Sequence, residues 1–248
     1  MLLILLAGGG CIPRKKLAYF QAPSERRVDS TFSPTRTDYP LQPGDLLSLR
    51  FTGPDPVAIQ PFGQENITSA NAQVTNIALY VQGYSVSDSG MVDVPVIGRM
   101  KVGGLTVEQA ERVVQTKLNA FVRSAVVKAR LVSFKVSVLG EVRTPGTLYI
   151  YNERLTLLEA LGYAGDLTDL GNREKVMLIR NRSGKVSLYT LNLTDRRLLG
   201  SPYFYLQPND VIYVEPIANK ADRLNLPALS ILLSAITSLL VLVSILVR

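Results

Sequence analysis

The chain has 248 residues and a formal net charge of +7, from 27 Lys and Arg against 20 Asp and Glu. It contains no His, no Trp and one Cys, which excludes the common metal sites, Ser-His or Cys-His catalysis and an internal disulfide. The basic residues are scattered without an aromatic-interleaved stripe, so we do not expect nucleic acid as a partner. No spacing of carboxylates or of Ser and Lys singles out a catalytic pair. We therefore expect no enzymatic activity, no cofactor and no metal.

The amino-terminal end resembles a bacterial lipoprotein signal. Residues 1–7 are apolar, residues 8–10 are glycines, and Cys11 follows at once. Such a signal needs a thiol at that one position, because the sulfur takes the diacylglycerol. The resemblance implies a signal peptide at 1–10 and lipidation of Cys11, and the alternative is a buried structural Cys. Residues 11–37 are rich in Arg, Lys, Ser, Thr and Pro without periodicity, which predicts a flexible tether.

The first part of the body is predicted to be rich in strands. A turn with Pro, Gly and Asp at 39–45 precedes a strand at 46–51. The weakly patterned residues 54–76 are predicted to form a loop. Further strands are expected at 78–86 and, from alternating valines, at 91–97.

An amphipathic helix follows these strands. Thr106 and Gln109 have the spacing of a capping box, in which each side chain satisfies a backbone N–H at the helix start. Apolar residues then recur at helical spacing as far as Val122. Strands are predicted next at 126–132 and 134–142.

The remainder of the body repeats the mixture of strands and helix. A second capping box, Thr156 with Glu159, opens a short helix that ends at the glycines of 162–165. Strands are expected at 147–151, 176–179, 186–191 and 211–214. The whole pattern predicts an α+β fold.

The carboxyl-terminal residues 228–247 contain no charge, and twenty residues at about 1.5 Å each match the roughly 30 Å core of a bilayer. They predict a transmembrane helix. Its hydroxyls fall within about a third of the helix circumference at about 100° per residue. These residues, the hydroxyl stripe, are Ser230, Ser234, Thr237, Ser238 and Ser244. The stripe indicates either packing against copies of the helix or a wet lumen, or it reflects hydroxyls bonded back to their own backbone.

Several linked motifs resemble one family, the bacterial outer-membrane polysaccharide export proteins. LQPGD at 41–45 resembles its opening motif, and DSGMVDVPVIG at 88–98 followed by VGGLT at 102–106 resembles its central signature. VLGEV at 138–142 and NDVIYV at 209–214 resemble parts of its sugar-binding-type β-grasp (SLBB) module.

The resemblance implies a division of the chain into functional parts. It implies a polysaccharide export domain at 38–132, a β-grasp (SLBB-type) module at 133–217, a linker at 218–227 and a transmembrane helix at 228–247. Members are lipid-anchored in the outer membrane, with the body in the periplasm. They form homo-oligomeric rings that pass capsular polysaccharide or exopolysaccharide and dock on an inner-membrane co-polymerase that controls chain length.

Two further interpretations stay open beside the export channel. The chain could be a periplasmic adaptor or scaffold, tethered to a membrane without a pore, because a single spanning helix encloses nothing.

A saccharide site would use exposed aromatic side chains. The candidates are Tyr149, Tyr151, Tyr203 and Tyr205, of which strand alternation predicts that about half belong to the core.

Overall fold

The computed structural model describes residues 17–21, 31–33, 38–62, 83–182, 184–217 and 220–246. The predicted signal peptide, Cys11 and most of the predicted tether lie outside these residues. The described chain is α+β, as predicted, and its buried side chains form two separate hydrophobic cores. We call residues 38–132 the first module and residues 133–217 the second module.

A three-stranded antiparallel sheet forms the first module. Strand β1 (Leu46–Thr52) lies between β2 (Tyr84–Ser85) and β5 (Val126–Leu131). A separate hairpin joins β3 (Met91–Val94) to β4 (Gly98–Lys101). The alternating valines predict a single strand at 91–97, but the chain turns after Val94, and Val96 adopts a φ of +68° in that turn. The core buries the inward-facing residues of these strands, which include Leu47, Val92, Val94 and Met100.

Helix α2 (Val107–Leu118) covers the open edge of this sheet. Its capping box is confirmed: Thr106 Oγ1 accepts from the N–H of Gln109, and Gln109 Oε1 accepts from the N–H of Thr106. Gln115 Oε1 accepts from the N–H of Val127 at 2.9 Å, and Glu111 Oε2 accepts from the N–H of Ala129 at 2.9 Å. Two helix side chains thus accept hydrogen bonds from N–H groups on the edge of β5 that faces away from β1. These bonds prevent a strand of another chain from pairing with that edge.

A short helix, α1 (Pro56–Ile59), lies in the segment predicted as a loop, followed by a 3₁₀ turn (Gln60–Phe62). The carboxylate of Asp55 caps α1 by accepting from the N–H groups of Val57 and Ala58. Phe62 is buried in the first core, which holds this segment against the sheet.

A five-stranded sheet forms the second module. In spatial order its strands are β7 (Gly146–Tyr149), β6 (Lys135–Gly140), β10 (Val211–Pro216), β8 (Gly171–Arg182) and β9 (Lys185–Leu191). All neighbours are antiparallel except β6 and β10, which are parallel. Gly140 has φ +88°, and a Cβ there would lie 2.2 Å from the carbonyl oxygen of Val214. The parallel pair therefore requires glycine at this position.

Helix α3 (Leu157–Tyr163) packs on the same sheet. Its predicted capping box is confirmed, with Thr156 and Glu159 each bonding the other's backbone N–H. Leu157, Ala160 and Leu161 are buried in the second core. Helix and sheet together enclose that core between them.

The carboxyl-terminal residues form helix α4 (Lys220–Leu246). Here the prediction of a transmembrane helix over 228–247 needs correction. Within the part of the chain that the structure describes, no helix is long and apolar enough to cross a membrane.

Candidate functional site

The predicted hydroxyl stripe lies on α4, where two of its members bond to their own helix. Ser234 Oγ donates to the carbonyl of Ile231 at 2.9 Å. Thr237 Oγ1 lies 3.1 Å from the carbonyl of Leu233 and 2.9 Å from that of Ser234. The side chain of Ser230 and the whole of Cys11 lie outside the described residues. A role of the stripe toward a lumen or a neighbour stays a prediction, as does lipidation of Cys11.

The four candidate tyrosines separate by exposure. Tyr149 and Tyr151 are 51% and 70% exposed, and Tyr203 and Tyr205 are half-buried. Tyr203 packs against the second core and lies 4.3 Å from the ring of Tyr189, centroid to centroid. Tyr151 is therefore the candidate with most of its ring available to another molecule.

The two modules meet at a polar junction around Asp45. Its carboxylate accepts from the N–H of Gln42 at 2.8 Å and from the hydroxyl of Tyr39 at 3.2 Å. Ser133, the first residue of the second module, accepts from the N–H of Leu46 at 3.0 Å. Burial raises the pKa of Asp45, and burial followed by the negative field of Asp45 raises the pKa of Tyr39. Ser133 Oγ also donates to Asp45 Oδ1 at 3.5 Å, so the end of the LQPGD motif bonds to the start of the second module.

A cleft of about 680 Å³ lies at this junction, and we call it the inter-module cleft. The first module lines it with the start of α2 and with β5. The second module lines it with residues 151–154, between β7 and α3, and with residues 205–208. Of the four candidate tyrosines, Tyr151 and Tyr205 lie in this cleft, and Tyr149 and Tyr203 do not.

A buried ion pair holds one wall of the cleft in place. Asp210 accepts from Arg180 Nε at 2.9 Å and from Arg180 Nη2 at 2.7 Å. Asp210 Oδ2 also accepts from the N–H of Gln207 at 2.6 Å, and Arg180 Nη2 donates to the carbonyl of Tyr205. Burial raises the pKa of Asp210, and the adjacent guanidinium opposes that rise. The pair thereby positions the backbone of residues 205–207.

Charges of both signs line the cleft. Glu111 Oε1 and Lys128 Nζ form an ion pair at 3.0 Å, and Arg130 follows on the same exposed face of β5. The facing loop contributes Glu153 and Arg154. Side chains of this kind supply both donors and acceptors of hydrogen bonds. The described residues hold no group of three or more His, Cys, Asp or Glu side chains that could bind a metal ion.

Sequence reasoning missed the inter-module cleft as a site. Its lining residues come from positions between 38 and 208, so no local motif marks it. The available signal was the short segment Tyr151, Asn152, Glu153 and Arg154, in which aromatic, amide and charged side chains run from the last residue of a predicted strand toward a predicted helix. Polar loops between elements carry binding residues more often than cores do.

Comparison with known proteins identifies both modules. Residues 33–132 match the family described as polysaccharide biosynthesis/export protein, and residues 134–214 match the SLBB domain. The chain is 28% identical over 186 residues to the EPS I polysaccharide export outer membrane protein EpsA of Ralstonia solanacearum. The aligned region covers 73% of this chain and 48% of that protein. The namesake protein of Ralstonia nicotianae is 28% identical over 184 residues, with 72% and 48% covered.

The chain thus spans about half the length of the curated relatives that it matches. The matched families follow each other in the order that the sequence motifs indicate, and the recognised family is not one of enzymes. The chain belongs to the polysaccharide export protein family.

Proposed function

We propose that the chain is a subunit of an outer-membrane assembly that exports capsular polysaccharide or exopolysaccharide from the periplasm to the cell surface. The observation that carries this proposal is the export domain followed directly by an SLBB domain, which together span residues 33–214 apart from one residue. The names of the two Ralstonia relatives support polysaccharide as the transported substrate and the outer membrane as the location.

In this proposal, copies of the chain form a closed ring around the path of the polymer. The described residues of one chain form three sheets and four α-helices and enclose no passage among themselves, so a channel needs several copies. The apolar surface of α4 supports association: Leu239, Leu242 and Ile245 are 65%, 58% and 71% exposed. Apolar patches of this kind are normally covered by another protein or by lipid. Packing of α4 helices from neighbouring copies would cover it, with the hydroxyl stripe toward the neighbour or the lumen.

The proposed assembly receives its polymer from an inner-membrane polysaccharide co-polymerase. It is held at the outer membrane by acyl chains on Cys11. The variant Cys11→Ser removes the sulfur that takes the diacylglycerol, so it should lack the acyl mass and should not undergo lipoprotein processing at the membrane. Unchanged acyl mass and sorting in this variant would contradict the anchor.

Export itself is tested by removing the chain from its host and measuring surface polysaccharide. We expect loss of surface polysaccharide, restored by the full chain and not by a chain truncated after residue 217. Undiminished surface polysaccharide in the deletion would contradict the proposal. If export is lost but the purified protein never forms a closed ring, the adaptor interpretation replaces the channel.

A further inference from the structure

The inter-module cleft has the size and the position of a binding site, and Tyr39, which bonds to Asp45, lines one side of it. Ligand sites are typically ~300–1,000 Å³ and occur preferentially where domains meet. At about 680 Å³, the cleft falls within that range. We propose that it binds a short segment of a neutral, hydroxyl-rich saccharide chain, an inference that rests on the proposed export function.

The aromatic part of the proposed site is Tyr151, supported by Tyr205. The apolar face of a sugar ring packs on the face of an aromatic ring. Tyr151 is 70% exposed, whereas Ile150 and Leu155, the residues on either side of the loop at 151–154, are 8% and 2% exposed. The ring is therefore presented to the cleft by a loop whose two ends are fixed in the core.

Backbone bonds hold that loop still. The N–H of Ile150 donates to the carbonyl of Phe134 at 2.8 Å, and the N–H of Leu206 donates to the carbonyl of Leu155 at 2.9 Å. Because both ends are tied to neighbouring segments, the loop need not be ordered when a ligand binds. Pre-organisation of this kind reduces the entropic cost of binding.

The charges of the cleft select the chemical class of the ligand. Glu108 and Glu111 face the site from α2, Lys128 and Arg130 from β5, and Glu153 and Arg154 from the opposite loop. Asp38 also lines the cleft, so a polyanion would meet four carboxylates beside three cations, and an apolar molecule would strip water from all seven groups. A sugar hydroxyl both donates and accepts hydrogen bonds, so it can pair with either sign of charge. A neutral saccharide fits this lining best.

The test measures binding of oligosaccharides to the detergent-extracted full chain. The probe is the surface polysaccharide of the host, cleaved to short oligosaccharides, separated by charge and labelled with a fluorophore for anisotropy. We expect the neutral fraction to bind, and Tyr151→Ala to weaken binding about fivefold or more through loss of the aromatic contact. Arg154→Ala is expected to weaken binding in the same direction.

Two tyrosines provide matched controls. Tyr149 and Tyr163 are 51% and 63% exposed, and neither lines the cleft. Tyr149→Ala and Tyr163→Ala should therefore bind the oligosaccharides as the unaltered chain does. Equal weakening by Tyr149→Ala and Tyr151→Ala would overturn the site.

Other outcomes also decide the matter. If the unaltered chain binds no oligosaccharide, or if only the acidic fraction binds, the inference fails. If Tyr151→Ala lowers the mass of the assembly and leaves oligosaccharide binding unchanged, the cleft is a contact between copies, and the inference also fails. In each of these cases the proposed export function is tested separately, by the loss of surface polysaccharide when this chain is deleted from its host.

Discussion

The carboxylate of Asp210 and the guanidinium of Arg180 form an ion pair inside the second module, with side chains 0% and 6% exposed. Removal of one partner from such a pair leaves the other charge buried and unpaired. We expect Asp210→Asn to lower the free energy of unfolding by about 3–5 kcal/mol, measured by urea denaturation. The wall of the cleft at residues 205–207 should loosen as well, because Gln207 and Tyr205 bond to the same pair.

An exposed pair is the matched control for this change. Asp93 and Arg99 lie 3.3 Å apart, with side chains 65% and 77% exposed. Water already solvates both charges, so Asp93→Asn should change the free energy of unfolding by about 0.5 kcal/mol or less. Equal effects of the two substitutions would contradict the assignment of Asp210 as a buried structural anion.

Glu111 predicts a dependence of stability on pH. The N–H of Ala129, followed by the ammonium of Lys128, holds the pKa of this carboxyl below its usual range. A carboxyl group with a depressed pKa stabilises the folded state at pH values above its ordinary pKa, about 4.3. That stabilisation is lost as the pH falls through the lower pKa of the folded state. The difference in unfolding free energy between the unaltered chain and Glu111→Gln should therefore shrink from pH 7 to pH 3. A difference that stays constant over that range would contradict the role of the charge.

At the scale of elements, a short segment near the amino terminus packs on the second module. Phe20 and Gln21 donate backbone bonds to the carbonyls of Leu193 and Thr194. The ring of Tyr19 packs against the second core, its hydroxyl donates to Asp166, and the guanidinium of Arg173 lies 5.5 Å from its centroid. Burial, followed by the bond to Asp166, raises the pKa of Tyr19. These residues fall within the range predicted as a tether.

This contact predicts an effect of Tyr19→Ala on local order. Loss of the ring removes the packing that holds the segment, so exchange of the amide hydrogens of Phe20 and Gln21 should become about tenfold faster. Tyr163→Ala, which alters an exposed ring, should leave the exchange of both amides unchanged. Unaltered exchange in Tyr19→Ala would indicate that the backbone bonds alone retain the segment.

Local chemistry made several elements predictable and left others hidden. Both capping boxes followed from residue spacing, because the bonds join residues three positions apart. Helix α1 had a signal that was not used, Asp55 at the cap and Pro56 at the first helical position. The polar start of β8 could not be predicted, because buried Arg173 depends there on bonds from Nη1 to the carbonyls of Thr168 and Gly171 and on contact with the Tyr19 ring. Those partners depend on tertiary contacts.

For the whole molecule, the linked motifs of the sequence predicted the order of the two matched families along the chain, but they did not predict the inter-module cleft. The cleft depends on how β5 and α2 lie relative to the loop at 151–154, and sequence patterns do not encode that placement. The carboxyl-terminal residues gave the opposite result. Their apolar composition predicts a transmembrane helix, but within the described residues no helix is long and apolar enough to cross a membrane.

We propose that copies of this chain form a closed ring for polysaccharide export. The most direct test is electron microscopy of the full chain extracted in mild detergent, with the mass of the same particles measured in solution. We expect a closed ring with a central opening and a mass that is a whole multiple, greater than two, of the mass of one chain. A monomer, or a compact particle without an opening, would contradict it.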